Sequence, residues 1–398
     1  GECYMSNVLE GIRVLDFGRY IAGPFCGALL ADLGADVIRI DRVGGSEDRF
    51  IMPVTEQGDG ALFLQTNRNK KSITLEMDSE EGREIVRRLV ESADIVIANM
   101  PAQTLINLGL DYDSLKAIKP DIILVAASAF GDSELMRGKI GFDGVGQAMS
   151  GGVHLSGYPG QPIKSMLPVV DFATAIASAL GAVAALYERN KSGMGQKVES
   201  SLLQTALNFS SGYLIEEQIL KLDRQASGNR SQSYGPSDVF KTSDGWIIVQ
   251  VIGPSMFKRW VKVMGLLDLF DDPRFANDEL RGQHGSTLSE MMSEWCGKRS
   301  REHALQELAE AKIPAGPVYS PAEVHADTAI TESGAFVWLK HPQLNSESPY
   351  VAAPFNLSRT PLEIKRHAPL VGEHTEEILS ECGFDAEEIK ELQRNKII

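Results

Sequence analysis

Cysteine is scarce in this chain, four in 398 residues, at Cys3, Cys26, Cys296 and Cys382. Their separation excludes a zinc knuckle and a redox pair, and their number is too low for a disulfide scaffold. All seven histidines lie at or after His154, in no spacing that predicts a metal site. No apolar run has the length and purity of a membrane span, because the longest, after Asp171, is rich in Ala and Ser and closes on Glu188 and Arg189. The first residues carry no basic region followed by an apolar stretch and a small-residue cleavage site. The reading predicts a soluble protein of a reducing cytoplasm, without a membrane partner. A net charge of −15 excludes nonspecific nucleic-acid binding, which needs a basic face.

Several catalytic signatures are also missing. Gly18, Gly23 and Gly27 fall short of G-x-G-x-x-G, and Pro24 stands where a helix starts. "GDSELMRGK" (Gly131 to Lys139) has too many residues between its glycines for a P-loop, and neither H-E-x-x-H nor G-x-S-x-G occurs. A dinucleotide oxidoreductase therefore ranks low.

What is present is a rhythm. "RVLDF" (Arg13 to Phe17), "VIRI" (Val37 to Ile40), "SITLE" (Ser72 to Glu76), "DIVIA" (Asp94 to Ala98) and "DIILVAA" (Asp121 to Ala127) read as strands buried on both faces, separated by helix-length segments. This alternation predicts an α/β fold with a parallel sheet. "KVESSLLQTALNFSSGYL" adds a strand and a helix, and "DVFKTSDGWIIVQVIG" a hairpin turning at Asp244 and Gly245. Helices are expected over 256–264, 286–296 and 301–311, and in the tail around "HTEEILSECGF" and "DAEEIKELQRN". The predicted division is a large α/β domain over 5–222, a smaller α+β domain over 223–331, and a return segment over 332–398.

Two features point to chemistry. Basic residues gather around the predicted strands: Arg39, Arg42, Arg49, then Arg68, Lys70 and Lys71 in "NRNKK", later Arg137 and Lys139. They read either as a solvated rim on an acidic protein or as anchors for a phosphate-rich ligand at the strand ends. The second feature is Asp171, at the head of "DFATAIASALGAVAALYERN". It is either a helix cap, a common job for Asp, or a carboxylate held for reaction.

The motifs "LEGIRVLDFGRYIAGPFCGALLADLGADVIRID", "NRNKKSITLEM", "ADIVIANM", "GFDGVGQAMSGG", "KSGMGQKVESSLLQTAL" and "PLVGEHTEEILSECGF" together resemble the class III CoA-transferases. That family includes formyl-CoA, carnitine and succinyl-CoA transferases and, as a close branch, α-methylacyl-CoA racemase. The resemblance covers essentially the whole chain. It implies a Rossmann-like large domain and a small domain in a ring-shaped monomer interlocked with a second chain. It implies acyl-CoA and a small carboxylic acid as substrates, with no tightly bound cofactor. By match, Asp171 is the covalent nucleophile, kept ionised by free N–H groups at the helix N-terminus. Arg39, Arg68, Lys70 and Lys71 lie near the nucleotide phosphates of CoA, with Arg137 or Lys139 compensating where "NMPAQ" puts Pro101 in place of a basic residue. The alternative within the resemblance is racemase or epimerase chemistry, against which stand Phe142, where that branch has His, and Gly253 in "VIGPSM", where it has a nearby Glu. A non-catalytic CoA-binding relative is the third reading. The loop Asn229 to Asp238, with Tyr234 where formyl-CoA transferase has glycines, argues against oxalate as acceptor. Gln147 and Tyr158 are further candidates for the pocket.

Overall fold

The computed structural model describes residues 7–398. Cys3 lies outside them, and Cys26, Cys296 and Cys382 are free thiols. The chain forms two compact units: one runs to Ser150 and takes in Ser165–Ser211 and Glu332–Ile398, the other holds Gly151–Lys164 and Gly212–Thr331. The division thus falls inside a helix, at Gly212, and assigns a short earlier segment to the second unit; the change of texture at Asp223 marks neither.

In chain order the elements are β1 (Arg13–Asp16), α1 (Ala22–Asp32), β2 (Asp36–Asp41), α2 (Ala61–Asn67), β3 (Lys71–Thr74), α3 (Glu80–Glu91), β4 (Ile95–Ala98), α4 (Ala102–Leu108), α5 (Tyr112–Ile118) and β5 (Ile123–Ser128). Then come α6 (Asp143–Met149), α7 (Gly152–Leu155), the short hairpin β6 (Gly157–Tyr158) and β7 (Gln161–Pro162), α8 (Val169–Ser192), β8 (Lys197–Ser201) and α9 (Leu202–Leu220).

The first unit is a parallel six-stranded sheet in the order β3-β2-β1-β4-β5-β8. Alternate residues of each strand feed opposite faces. Leu15, Ile38, Ile40 and Val96 pack under α3 and α5, while Val14, Val37, Ile95, Ile97, Ile123 and Val125 pack under α1 and α8. Burial on both faces explains the unbroken Val and Ile runs. Helix α3 shows the local logic: the Ser79 hydroxyl accepts from the Gly82 N–H, and Ile85, Val86, Leu89 and Val90 form its buried stripe.

The strand order reverses between β1 and β4, which opens a crevice above their C-terminal ends. The two loops there are stapled: the Arg19 N–H donates to Asn99 Oδ1 and Asn99 Nδ2 donates to the Arg19 carbonyl, both at 2.7 Å. Gly18 and Gly23 serve this close approach, since a Cβ on Gly23 would stand 2.9 Å from the Gly18 Cα.

The second unit carries the antiparallel strands β9 (Ser237–Lys241) and β10 (Trp246–Gln250), then α10 (Gly253–Met264), α11 (Asp278–Gln283), α12 (Gly285–Gly297), α13 (Arg301–Glu310), β11 (Ala315–Pro317), α14 (Pro321–Ala326) and α15 (Thr328–Thr331). The β9–β10 hairpin turns at Asp244 and Gly245 as its sequence predicts. Strands β12 (Phe336–Lys340) and β13 (Glu347–Val351), with α16 (Thr375–Glu381) and α17 (Ala386–Arg394), complete the first unit. Asp385 and Glu388 form a capping box at the start of α17.

By length and composition α8 does qualify as a membrane span, contrary to the reading from sequence. Its small residues make it a packing helix: Ala175, Ala179, Ala182 and Ala185 are buried in the core shared with α1.

A buried charge network fills the ends of β1 to β3. Lys70 Nζ lies 2.6 Å from Asp16, Arg68 pairs with Asp32 at 2.7 Å, and Arg39 and Arg49 share Asp41, with Asp48 and Asp59 beside them. Burial pushes Asp16 up, but the Lys70 ammonium and Arg39 guanidinium more than offset this and hold it below the usual carboxylate range. Removing one partner leaves a desolvated charge. Lys70→Met is therefore expected to cost about 3–5 kcal/mol, read as a lowered midpoint in urea unfolding, with Lys70→Met/Asp16→Leu recovering much of the loss.

Candidate active site

Asp171 sits in the first turn of α8, half-buried. Among the described residues no donor engages its carboxylate. The free N–H groups beside it have another acceptor: Val170 N–H and Asp171 N–H both donate to Asp143 Oδ2, at 2.7 and 3.0 Å. Asp143 opens α6 and is 8% exposed. Its Oδ1 accepts from Gln147 Nε2, and Gln147 Oε1 accepts from the Ser165 N–H at 2.9 Å. One turn of α6 therefore holds both the first turn of α8 and the segment leading into it.

This arrangement corrects two expectations. Asp171 does not cap its helix, because Asp143 does. Nor is Asp171 held ionised by the helix end: burial, followed by the negative charge of Asp143, pushes its carboxyl up from 3.8 to about 7. Near neutral pH it divides between the two protonation states. Below it, paired hydroxyls tie α8 to β8 and α9: Thr174 to Thr205 at 2.8 Å and Ser178 to Ser200 at 2.7 Å.

Next to Asp143, Phe142 is 62% exposed and its ring meets Tyr20 edge to face, with centroids 5.8 Å apart. Tyr20 lies in the β1–α1 loop at a φ of 64°, in the left-handed region that bulky residues rarely adopt. Its N–H is held by Asp48 at 3.0 Å. Met166 and Leu167, just ahead of α8, are exposed. Phe142, Met166 and Leu167, beside Asp143 and ahead of α8, are thus apolar and offer no proton for transfer.

The basic residues divide sharply. Arg39, Arg68 and Lys70 are 0% exposed. Arg39 is spent on Asp41, Asp48, Asn67 and the Gly18 carbonyl, Arg68 on Asp32 and the Gln65 carbonyl, and Lys70 on Asp16, Asn67 and the Pro24 carbonyl. The sequence places them beside the phosphates of CoA; the structure turns all three toward carboxylates of the core. Lys71 is mostly buried and paired with Glu377 at 2.8 Å. Arg137 and Lys139 are exposed, with Arg137 3.6 Å from Glu134. Arg42 is exposed as well, 3.7 Å from Glu47.

Of the remaining candidates, Gln147 belongs to the Asp143 cluster, whereas Tyr158 is exposed on β6 in the second unit. Tyr234 is half-buried there, in a loop that passes close to Gly282. Among the described residues no group of three or more His, Cys, Asp or Glu is placed to hold a metal ion. Asp143 itself escapes a reading of the sequence. Its signal, an Asp opening a helix with Gln four residues on, says nothing of a second helix whose head it caps 27 positions later.

The family model for CoA-transferase family III matches residues 9–375. The chain is 32% identical over 399 residues to the succinyl-CoA–D-citramalate CoA-transferase of Chloroflexus aurantiacus, covering 98% of both chains. It is 34% identical over 386 residues to the succinate–glutarate CoA-transferase of Agrobacterium fabrum, covering 94% of this chain and 95% of that one. Among solved structures, a CAIB/BAIF family protein from Brucella suis superposes with a TM-score of 0.82 at 31% identity, covering 94% of this chain and 99% of that one.

The raised carboxyl has a signature in stability. Asp171 titrates near 3.8 when unfolded and near 7 when folded, so the folded state binds the proton more tightly and wild-type stability falls as pH rises through that window. Asp171→Asn removes the loss. Its melting temperature is expected to match the wild type near pH 4 and to exceed it increasingly up to about pH 7, with a constant gap above; a gap independent of pH contradicts the assignment.

Proposed function

We propose how this chain, which belongs to CoA-transferase family III and is a CoA-transferase, moves CoA from an acyl-CoA donor to a carboxylic acid: covalently, through Asp171. The supporting observation is a half-buried carboxylate at a helix head that no donor engages among the described residues and that burial and Asp143 make more basic than usual. Such a carboxylate is poorly solvated, and its lone pairs are open to attack an electrophile.

The steps balance without water or ATP. A carboxylate oxygen of Asp171 attacks the thioester carbonyl, the C–S bond breaks, and an acyl–aspartyl anhydride forms with CoA thiolate as leaving group. The thiolate attacks the aspartyl carbonyl, expelling the donor carboxylate and leaving an aspartyl–CoA thioester. The acceptor carboxylate attacks that thioester and releases the thiolate. The thiolate then attacks the acceptor's acyl carbonyl, so the new acyl-CoA departs and the Asp171 carboxylate is restored. Both anhydrides are prone to hydrolysis, which fits a nucleophile in a water-poor setting.

With Arg39, Arg68 and Lys70 committed to the core, the phosphates of CoA fall to exposed cations of the first unit, Arg42, Arg137 and Lys139. Since two of the relatives are named for succinyl-CoA or succinate together with a second acid, succinyl-CoA is the donor to test first, with dicarboxylic acids as acceptors. A homodimer is part of the proposal, with the interlocked rings that the resemblance implies. Its support is the run of exposed apolar side chains on α8 and α9, among them Leu180, Tyr187, Phe209, Ile215 and Ile219.

Incubation with succinyl-CoA and hydroxylamine is expected to convert Asp171 to a hydroxamate, seen by intact mass and peptide mapping, and Asp171→Ala to remain unmodified and inactive. Modification elsewhere with Asp171 untouched contradicts the route. Arg137→Ala and Lys139→Ala are each expected to raise KM for the acyl-CoA roughly tenfold, the loss of one charge-assisted contact, with kcat nearly unchanged.

A further inference from the structure

We infer that Asp143 is a positioning residue of the transfer reaction: its carboxylate takes the backbone donors at the head of α8 and so withholds them from the nucleophile. The inference rests on the reading of Asp171 as that nucleophile and extends it to a second residue, one that touches no substrate.

The geometry carries the argument. An acidic side chain in the first turn of a helix ordinarily gains from the free N–H groups and the positive end of the dipole. Both lower its basicity and occupy the lone pairs that must attack. Here the Val170 and Asp171 N–H groups point at a single oxygen of Asp143. The other oxygen of Asp143 is held by Gln147, which is itself fixed on the Ser165 N–H. This buried brace reaches the nucleophile's own amide and leaves its carboxylate free.

Charge adds a second effect. When Asp171 becomes an anhydride or thioester its negative charge disappears, while Asp143 keeps its own. The repulsion between the two is therefore present before attack and relieved by it, which favours acylation in both halves of the cycle. Few other charges bear on the site. Helix α1 has none before Asp32, α8 none between Asp171 and Glu188, α9 none before Glu216, and β5 none at all. On β8, Lys197 and Glu199 are paired with one another at 3.1 Å. Lys164 lies in the segment leading to α8 and Asp132 is joined to Lys197. Asp143 makes no covalent bond and transfers no proton in this account.

The test separates cap from charge. Asn keeps one side-chain acceptor, so Asp143→Asn can still cap the Val170 and Asp171 N–H groups while it removes the charge and gives up the Gln147 contact. The readout is the rate of hydroxamate formation at Asp171 with succinyl-CoA, followed in single turnover from pH 5 to 9 on the full-length protein. In the wild type this rate is expected to rise with a midpoint near 7. In Asp143→Asn the midpoint is expected about one unit lower or more, with a slower plateau above pH 8 and little change in the acyl-CoA concentration needed for half-saturation. An unchanged midpoint and plateau in Asp143→Asn, with Asp171 still modified, reduces Asp143 to a structural cap and overturns the inference alone. Absence of modification at Asp171 in active wild type overturns the nucleophile assignment, and this inference with it. If Asp143→Asn does not fold, Asp143→Asn/Gln147→Leu, which removes the facing amide donor, provides a neutral cap for the same comparison, with the same downward shift expected and an unshifted midpoint overturning the inference.

Discussion

Two backbone N–H groups at the head of α8 donate to Asp143, and the chemistry assigned to this chain depends on that choice of acceptor. Had they turned to Asp171, its carboxylate would be an ordinary first-turn acid, stabilised by the helix and weakly reactive. With the donors engaged elsewhere, burial and a neighbouring like charge raise the same carboxylate to about 7. The rest of the first unit serves this end. Small residues let α8 lie against α1, the hydroxyl pairs below fix it to β8 and α9, and α6 presents Asp143 and Gln147 from one turn.

The basic residues at the ends of β1 to β3 show how a recognition motif and a packing motif can look alike. Each of Arg39, Arg68 and Lys70 has an aspartate opposite it in the fold, and the Arg39 and Arg49 guanidiniums flank the Phe63 ring at 5.0 and 4.0 Å. This network supports the loops around the strand-order reversal, where Asn99 staples Arg19 and Asp48 holds the Tyr20 amide. In the proposal its contribution to CoA binding is indirect, through the shape of the crevice, and the charge for the phosphates comes from exposed cations.

The strands were legible because residues buried on both faces of a parallel sheet must be apolar without interruption, and "IRVLD", "VIRI" and "DIVIA" are nearly so. The β9–β10 hairpin was legible from Asp244 and Gly245, and Asp171 from the motifs around it. The fate of the cations was only half visible. A strand's period of two places Arg39 and Asp41 on one face of β2, a hint of pairing, but Lys70 and Asp16 stand 54 positions apart and meet only when β1 and β3 join the same sheet. Asp143 was hidden for the same reason, since its partners lie 27 and 28 positions away on another helix. The division of the chain at Gly212 was equally obscure, because α9 runs through it without a break in pattern.

The central claim is that oxygen passes through Asp171. If an acceptor acid carrying oxygen-18 in its carboxylate is turned over with unlabelled acyl-CoA, attack on the aspartyl thioester and departure of the new acyl-CoA must leave one labelled oxygen on Asp171. The decisive measurement is the mass of the peptide containing Asp171 after several turnovers. The account predicts that this peptide, and the released donor acid after it, gains oxygen-18. Continued turnover with the peptide unlabelled would contradict it, since CoA would then be passing between the acids without a covalent visit to this carboxylate.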